Sequence, residues 1–74
     1  MGNAPVVVHR PSNTGGRKVT LRSQGHNATL GTAHSDHDLV VFLGAAGITD
    51  ADDVLDDPQM IDWQGGPAHQ WNAL

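Results

Sequence analysis

Two histidines and two aspartates fall within five residues near the middle of this chain, as His34, Asp36, His37 and Asp38. Imidazole nitrogens and carboxylate oxygens are ligands that Zn²⁺ takes in proteins. The stretch therefore suggests a zinc-binding, hydrolase-like site, with His34, His37 and Asp36 as the candidate metal ligands.

The stretch from Thr32 to His37 is similar to the H-x-H-x-D-H string with which metallo-β-lactamase-type enzymes seat two metal ions. Thr32 stands where the first histidine would be, which removes a ligand from the first metal. Two histidines alone specify no coordination geometry, and a closed site needs a third or fourth ligand from elsewhere. We therefore expect no metal, no other cofactor and no catalytic residue, and the zinc site stays an alternative.

The same residues also have the pattern of a helix start. Ser35 can cap free backbone amides while Asp38, three residues on, acts as its capping-box partner. Apolar residues then follow at helical spacing, and a glycine comes after them as a stop signal: Leu39, Phe42, Leu43, Ala46 and Gly47. The pattern predicts a helix over 36–46, although the apolar run 39–43 is also compatible with a buried strand.

Shorter signals surround this helix. Residues 5–9, 17–22 and 28–32 are predicted strands, and Thr49 starts a short second helix that ends before Pro58. Residues 60–63 and 68–71 read as a second hairpin. The chain is thus predicted to be a single α+β domain, 1–74, in the order β-β-(β)-α-α-β-β. It would have an antiparallel sheet of two hairpins, with four or five strands, covered on one face by one main and one short helix.

Three apolar side chains are candidates for an interaction surface. Val41 lies off the apolar stripe of the predicted helix, so it would either be exposed or be covered by the predicted second helix. Trp63 and Trp71 would meet as a pair on one face of the second hairpin. An apolar patch of this kind is suited to association with a protein partner or a second copy of the chain.

Charge is divided unevenly along the sequence. All eight acidic residues are aspartates between positions 36 and 62, and the formal net charge is −4. All four basic residues precede them and are candidate nucleic-acid contacts: Arg10, Arg17, Lys18 and Arg22. Proteins that bind nucleic acid usually carry more positive charge than this, so such binding would be weak.

The chain has no cysteine, which is compatible with a reducing cytoplasm. Val6, Val7 and Val8 form too short an apolar run for an export signal, and no run approaches the length of a membrane span. We expect a cytoplasmic protein that does not enter a membrane.

Several landmarks lie along the chain, at positions 15–19, 35–39, 42–43, 46–47, 55–58 and 63–69. Together these landmarks resemble a family of small actinobacterial proteins, of the kind found in Streptomyces, whose function is unknown. The resemblance implies a host type and a compact fold, and it implies no mechanism.

The sequence thus favours a non-enzymatic protein-interaction or regulatory accessory module over a nucleic-acid-binding protein or a zinc hydrolase. Its partner would be an unidentified protein or a second copy of the chain.

Overall fold

The computed structural model of the protein describes residues 4–23 and 25–72. It has an α+β fold, as the sequence predicts, in which four strands form one sheet and a helix packs on one side of it. The elements, in chain order, are β1 (Val6–Pro11), β2 (Arg17–Ser23), β3 (His26–Ala33), α1 (Asp36–Ala45), a 3₁₀ turn (Ala51–Asp53) and β4 (Ile61–Trp63).

The sheet is mixed, so the prediction of an antiparallel sheet is wrong for β4. Strands lie in the order β3-β2-β1-β4, with β1–β2 and β2–β3 antiparallel and β1–β4 parallel. β3 runs in the same direction as β1, and α1 carries the chain back along the sheet. The next strand therefore enters the sheet parallel to β1.

The predicted second hairpin is not formed, because 68–71 is not a strand. Pro67 has no N–H to donate to a neighbouring strand. The carbonyls of Pro67 and Gln70 accept hydrogen bonds from Arg17, and His69 has φ of +67°, which is incompatible with extended backbone. The segment is instead an irregular loop that packs on the inner side of the sheet.

The predicted second helix is reduced to the 3₁₀ turn. Asp50 precedes it in the left-handed region, with φ of +53°. Asp52 and Asp56 would face each other four residues apart in a longer helix, as would Asp53 and Asp57, and such like-charge pairs destabilise a helix. Aspartate also has low intrinsic helix propensity.

Both predicted ends of α1 are confirmed. Ser35 caps the helix by accepting a hydrogen bond from the Asp38 amide at 3.2 Å. The Asp38 carboxylate reaches back as expected, but it accepts from the amide of His34, one residue before the cap. At the other end Gly47 is left-handed, and Ile48 donates to the carbonyl of Leu43, which closes a Schellman motif.

The core lies between α1 and one face of the sheet. Leu39 and Leu43 of α1 are fully buried against alternate residues of the strands, namely Val6, Val8, Val19 and Ile61. Gly31 of β3 is needed here, because a side chain at this position would collide with the ring of Phe42. No helix in the described residues is both long and apolar enough to span a membrane.

Candidate functional site

No element of residues 4–23 and 25–72 covers the face of the sheet opposite α1. Alternation along the strands places every second side chain on this side, and the register aligns Val7, Thr20 and Thr29 across β1, β2 and β3. We define the open face by the side chains that share this side: Val7, His9, Lys18, Thr20, Arg22, Asn27, Thr29, Thr32 and Asp62. Each of them is exposed or half-buried, and none is buried.

Two permanent cations stand on the open face. Lys18 and Arg22 are exposed on β2, and neither forms an ion pair with any carboxylate of the described residues. Between them Thr20 is hydrogen-bonded to the His9 ring, with Oγ1 and Nε2 3.0 Å apart. Asp62 lies beside Val7 on β4 and adds one carboxylate to this face. With two permanent cations and one carboxylate, the open face is a polar surface with a small excess of positive charge.

Arg17 begins the same strand but faces the other way. Its guanidinium is fully buried and donates to four backbone carbonyls, at 2.7 Å to His9, 2.8 Å to Gln64, 2.7 Å to Pro67 and 2.9 Å to Gln70. Burial lowers the pKa of Arg17 from its ordinary value, although a guanidinium remains charged near neutral pH. Arg17 therefore fixes the irregular loop after β4 to the end of β1.

This arrangement corrects the sequence prediction for the basic residues. Arg17 is not a surface contact, since none of its side chain is exposed. Arg10 is exposed but lines a cleft with the loop after β4. Only Lys18 and Arg22 remain together on one surface.

A second constellation, the His69 cluster, joins the loop to the helical side of the protein. It consists of Asp36, Asp56, Trp63, His69 and Trp71. His69 lies between two carboxylates, with Nδ1 2.7 Å from Asp36 and Nε2 2.5 Å from Asp56. Asp36 also accepts a hydrogen bond from the indole of Trp71 at 2.8 Å. The ring of Trp63 lies 5.3 Å from that of His69 and 5.4 Å from that of Trp71.

The contacts of His69 decide what chemistry this cluster supports. Both ring nitrogens face a carboxylate acceptor, so the doubly protonated imidazolium satisfies both contacts. The hydrogen bond to Asp56, followed by that to Asp36, raises the pKa of His69 above its ordinary value, and burial acts weakly against them. With both nitrogens engaged, the ring has no free position for a substrate proton. The cluster is an electrostatic clamp between the loop, the start of α1 and the turn before β4.

The residues predicted as metal ligands do not come together. Asp36 faces His69 and Trp71, while the His34 ring lies 4.0 Å from the carboxylate of Asp38, and His37 is exposed. Within residues 4–23 and 25–72, no three histidine or acidic side chains are placed to hold a metal ion.

The three predicted interaction residues occupy different environments. Val41 is 52% exposed on α1, so the alternative in which a second helix covers it is wrong. Trp71 is buried in the core, which corrects its assignment to a contact surface, and Trp63 is half-buried with its indole N–H bonded to the carbonyl of Leu55. The two tryptophans do meet, but through the loop rather than across a hairpin. Among the described residues, Val41 is the only large hydrophobic side chain that is exposed.

Sequence reasoning missed the pairing of Asp56 with His69. The two are 13 residues apart, and Asp36 is 33 residues from His69, so no local spacing connects them. The inward orientation of Arg17 could have been predicted from the sequence. It lies two and four residues before the apolar Val19 and Leu21, and residues at this spacing on a strand face the same side of the sheet. This alternation places Arg17 on the inner face of the sheet, which packs against α1.

Comparison with protein-family models, with curated proteins and with solved structures finds no match to this chain. The resemblance to small actinobacterial proteins accordingly stays a prediction.

Proposed function

We propose that this chain is a non-enzymatic binding module that holds an acidic protein partner on its open face. The observation that carries the proposal is that α1 covers one face of the sheet and leaves the other face uncovered, with Lys18 and Arg22 unpaired among the described residues. The module is proposed to work in the cytoplasm, as the sequence predicts.

Charge supports a partner of opposite sign. The whole chain has a net charge of −4, so its general surface repels acidic proteins. The cations of the open face are a local exception, and a complementary partner would be steered to that face. Thr20, Asn27 and Thr29 surround the cations with hydroxyl and amide groups that can bond to the partner.

The open face fits a protein better than a nucleic acid. Nucleic-acid binding relies on many phosphate contacts, and single strands also stack their bases on aromatic side chains. The open face has two permanent cations, and no aromatic ring other than the His9 imidazole lies among its residues. Arg17, the third cation of β2, is committed to backbone carbonyls.

The contacts of the His69 cluster support a non-enzymatic role. Its histidine is the one most strongly engaged by carboxylates in the described structure, and those carboxylates occupy both of its ring nitrogens. These contacts hold the loop after β4 against α1.

The test is affinity purification of the tagged chain from cells that express it naturally, followed by quantitative mass spectrometry. Three forms are compared: the wild-type chain, the double variant Lys18→Glu/Arg22→Glu, and the matched control Val41→Asp, which adds negative charge on the opposite side of the protein. Like charges placed across an interface cost several kcal/mol, so the double variant should recover at least about tenfold less partner. Val41→Asp should recover the wild-type amount.

Other outcomes would contradict the proposal. If the double variant recovers as much partner as the wild-type chain, the open face is not the contact surface. If Val41→Asp loses the partner, the contact surface lies on α1 instead. Release of the bound material by nuclease would identify nucleic acid instead. If the recovered partner is the chain itself, light scattering of the pure protein will show concentration-dependent dimers that the double variant lacks.

A further inference from the structure

An open cleft lies at the far end of β1, away from the open face. It has a volume of about 600 Å³ and lies between Arg10 and Pro11 on one side and the loop 65–67 on the other. Asn13 and Gln70 complete its lining. This volume is in the range of small-molecule sites, and the cleft shares no lining residue with the open face.

The charge around this cleft is positive in an otherwise acidic protein. The chain has eight aspartates, and none of them lines the cleft. Arg10 is an exposed wall residue. A second cation, Arg17, lies beneath the floor, since a side-chain carbon on Gly66 would be 3.7 Å from its Nη1 atom.

The charge of Arg17 has no negative partner. Its guanidinium is satisfied by carbonyl dipoles alone, and no described carboxylate forms an ion pair with it. The positive charge of Arg17 therefore remains, and its field reaches the cleft across the backbone of Gly66. Electrostatic attraction is stronger there than in water, because the protein interior screens charge less. An anion in the cleft would be attracted by Arg10 directly and by Arg17 from below.

The rest of the lining suits the body of a small organic molecule. Pro11 and Pro67 offer ring carbons and no N–H groups, while the side-chain amides of Asn13 and Gln70 can bond to a polar substituent. We propose that this cleft binds a small organic carboxylate, with its carboxylate paired to the fork of Arg10 and its apolar body against the two prolines. The planar guanidinium matches a carboxylate in two parallel hydrogen bonds. One accessible guanidinium matches one negative charge, which favours a carboxylate over a phosphate dianion.

The test is a titration of the full ¹⁵N-labelled chain with benzoate, acetate and inorganic phosphate, followed by NMR. Benzoate should give saturable shifts of the Gly65, Gly66 and Gln70 amides, and it should bind more tightly than acetate or phosphate. Arg10→Gln should weaken benzoate binding by about tenfold or more, as expected for the loss of hydrogen bonds to a charged group. The matched control Arg22→Gln, which removes an exposed cation elsewhere, should bind as the wild-type chain does.

A second variant tests the shape of the site. Gly66 is not left-handed, and a methyl group there would make only ordinary contacts, with Pro11 at 3.4 Å and Arg17 at 3.7 Å. Gly66→Ala should therefore fold normally but lose benzoate affinity, because its methyl group fills part of the floor. The proposal is overturned if benzoate shifts do not saturate, if Arg10→Gln leaves them unchanged, if Gly66→Ala binds as tightly as the wild-type chain, or if phosphate binds more tightly than benzoate.

Discussion

Replacing Arg17 by methionine should remove a large part of the stability of this domain. Methionine keeps the length of the side chain and its apolar stem but cannot donate a hydrogen bond. The variant leaves the carbonyls of His9, Gln64, Pro67 and Gln70 without their shared donor. It also removes the cation that lies 5.2 Å from the centre of the Trp63 ring.

The magnitude follows from two opposing contributions. Hydrogen bonds from a charged donor contribute about 1.5–3 kcal/mol each, so four of them amount to roughly 6–12 kcal/mol. Burying the cation costs several kcal/mol, and the variant no longer bears that cost. The net loss should be about 3–5 kcal/mol, the range found when one partner of a buried charged network is removed. A domain of 74 residues has roughly 4–11 kcal/mol in total, so Arg17→Met should lose from about a quarter of the stability to all of it.

The assay is urea unfolding followed by tryptophan fluorescence, because both tryptophans of the chain belong to the His69 cluster beside Arg17. Arg22→Met is the matched control. It changes the same residue type on the same strand but on the open face, where surface substitutions alter stability by about 0.5 kcal/mol or less.

Arg17→Lys keeps the charge and tests the geometry. A single ammonium nitrogen cannot reach both His9 and the loop carbonyls, so this variant should lose at least one charged hydrogen bond, about 1.5–3 kcal/mol. The reasoning is refuted if Arg17→Met unfolds within about 1 kcal/mol of Arg22→Met, since a fully engaged charged group should contribute more than that. It is also refuted if Arg17→Lys is as stable as the wild-type chain.

Two further predictions concern the start of α1 and the loop after β4, which contacts it through His69. Because the pKa of His69 is raised in the folded protein, the contribution of its imidazolium is fully present below the unfolded value of about 6.5 and is lost as pH rises through the higher folded value. His69→Gln should therefore lower the melting temperature more at pH 6 than at pH 9, and an equal effect at both would contradict the clamp. Ser35→Ala should cost about 1 kcal/mol in urea unfolding through loss of the helix cap, whereas Ser35→Asp should retain the capping bond and the stability. Equal stability of the alanine and aspartate variants would show that the cap contributes nothing.

Local signals in the sequence were sufficient for the first half of the fold. The alternation in β2, the turn glycines before it, and the pairing of Ser35 with Asp38 act over a few residues, so β1, β2, β3 and α1 could be predicted. The second half depends on contacts between distant residues. The carbonyls of Gln64, Pro67 and Gln70 accept hydrogen bonds from Arg17, about fifty residues earlier, and no local pattern in 64–70 indicates that partner.

The difference between local signals and long-range contacts also decides how much of the candidate site could be predicted. Helical periodicity alone placed Val41 off the apolar stripe of α1, but its exposure also depends on the second helix being reduced to a short turn. The open face could not be identified from spacing, since it requires knowing that α1 covers one side of the sheet and that no other described element covers the other. The tryptophans suggested a surface by their size, but Trp71 packs in the core, where Asp36 accepts a hydrogen bond from its indole N–H.

The most direct test of the central claim uses the fact that Lys18 is the only lysine in the chain and lies on the open face. Its rate of acetylation by an N-hydroxysuccinimide ester can be measured by mass spectrometry, in the free protein and in the complex recovered at low salt. If the open face is the binding surface, Lys18 should be modified quickly in the free protein and be protected in the complex. Modification at the same rate in both would contradict the claim.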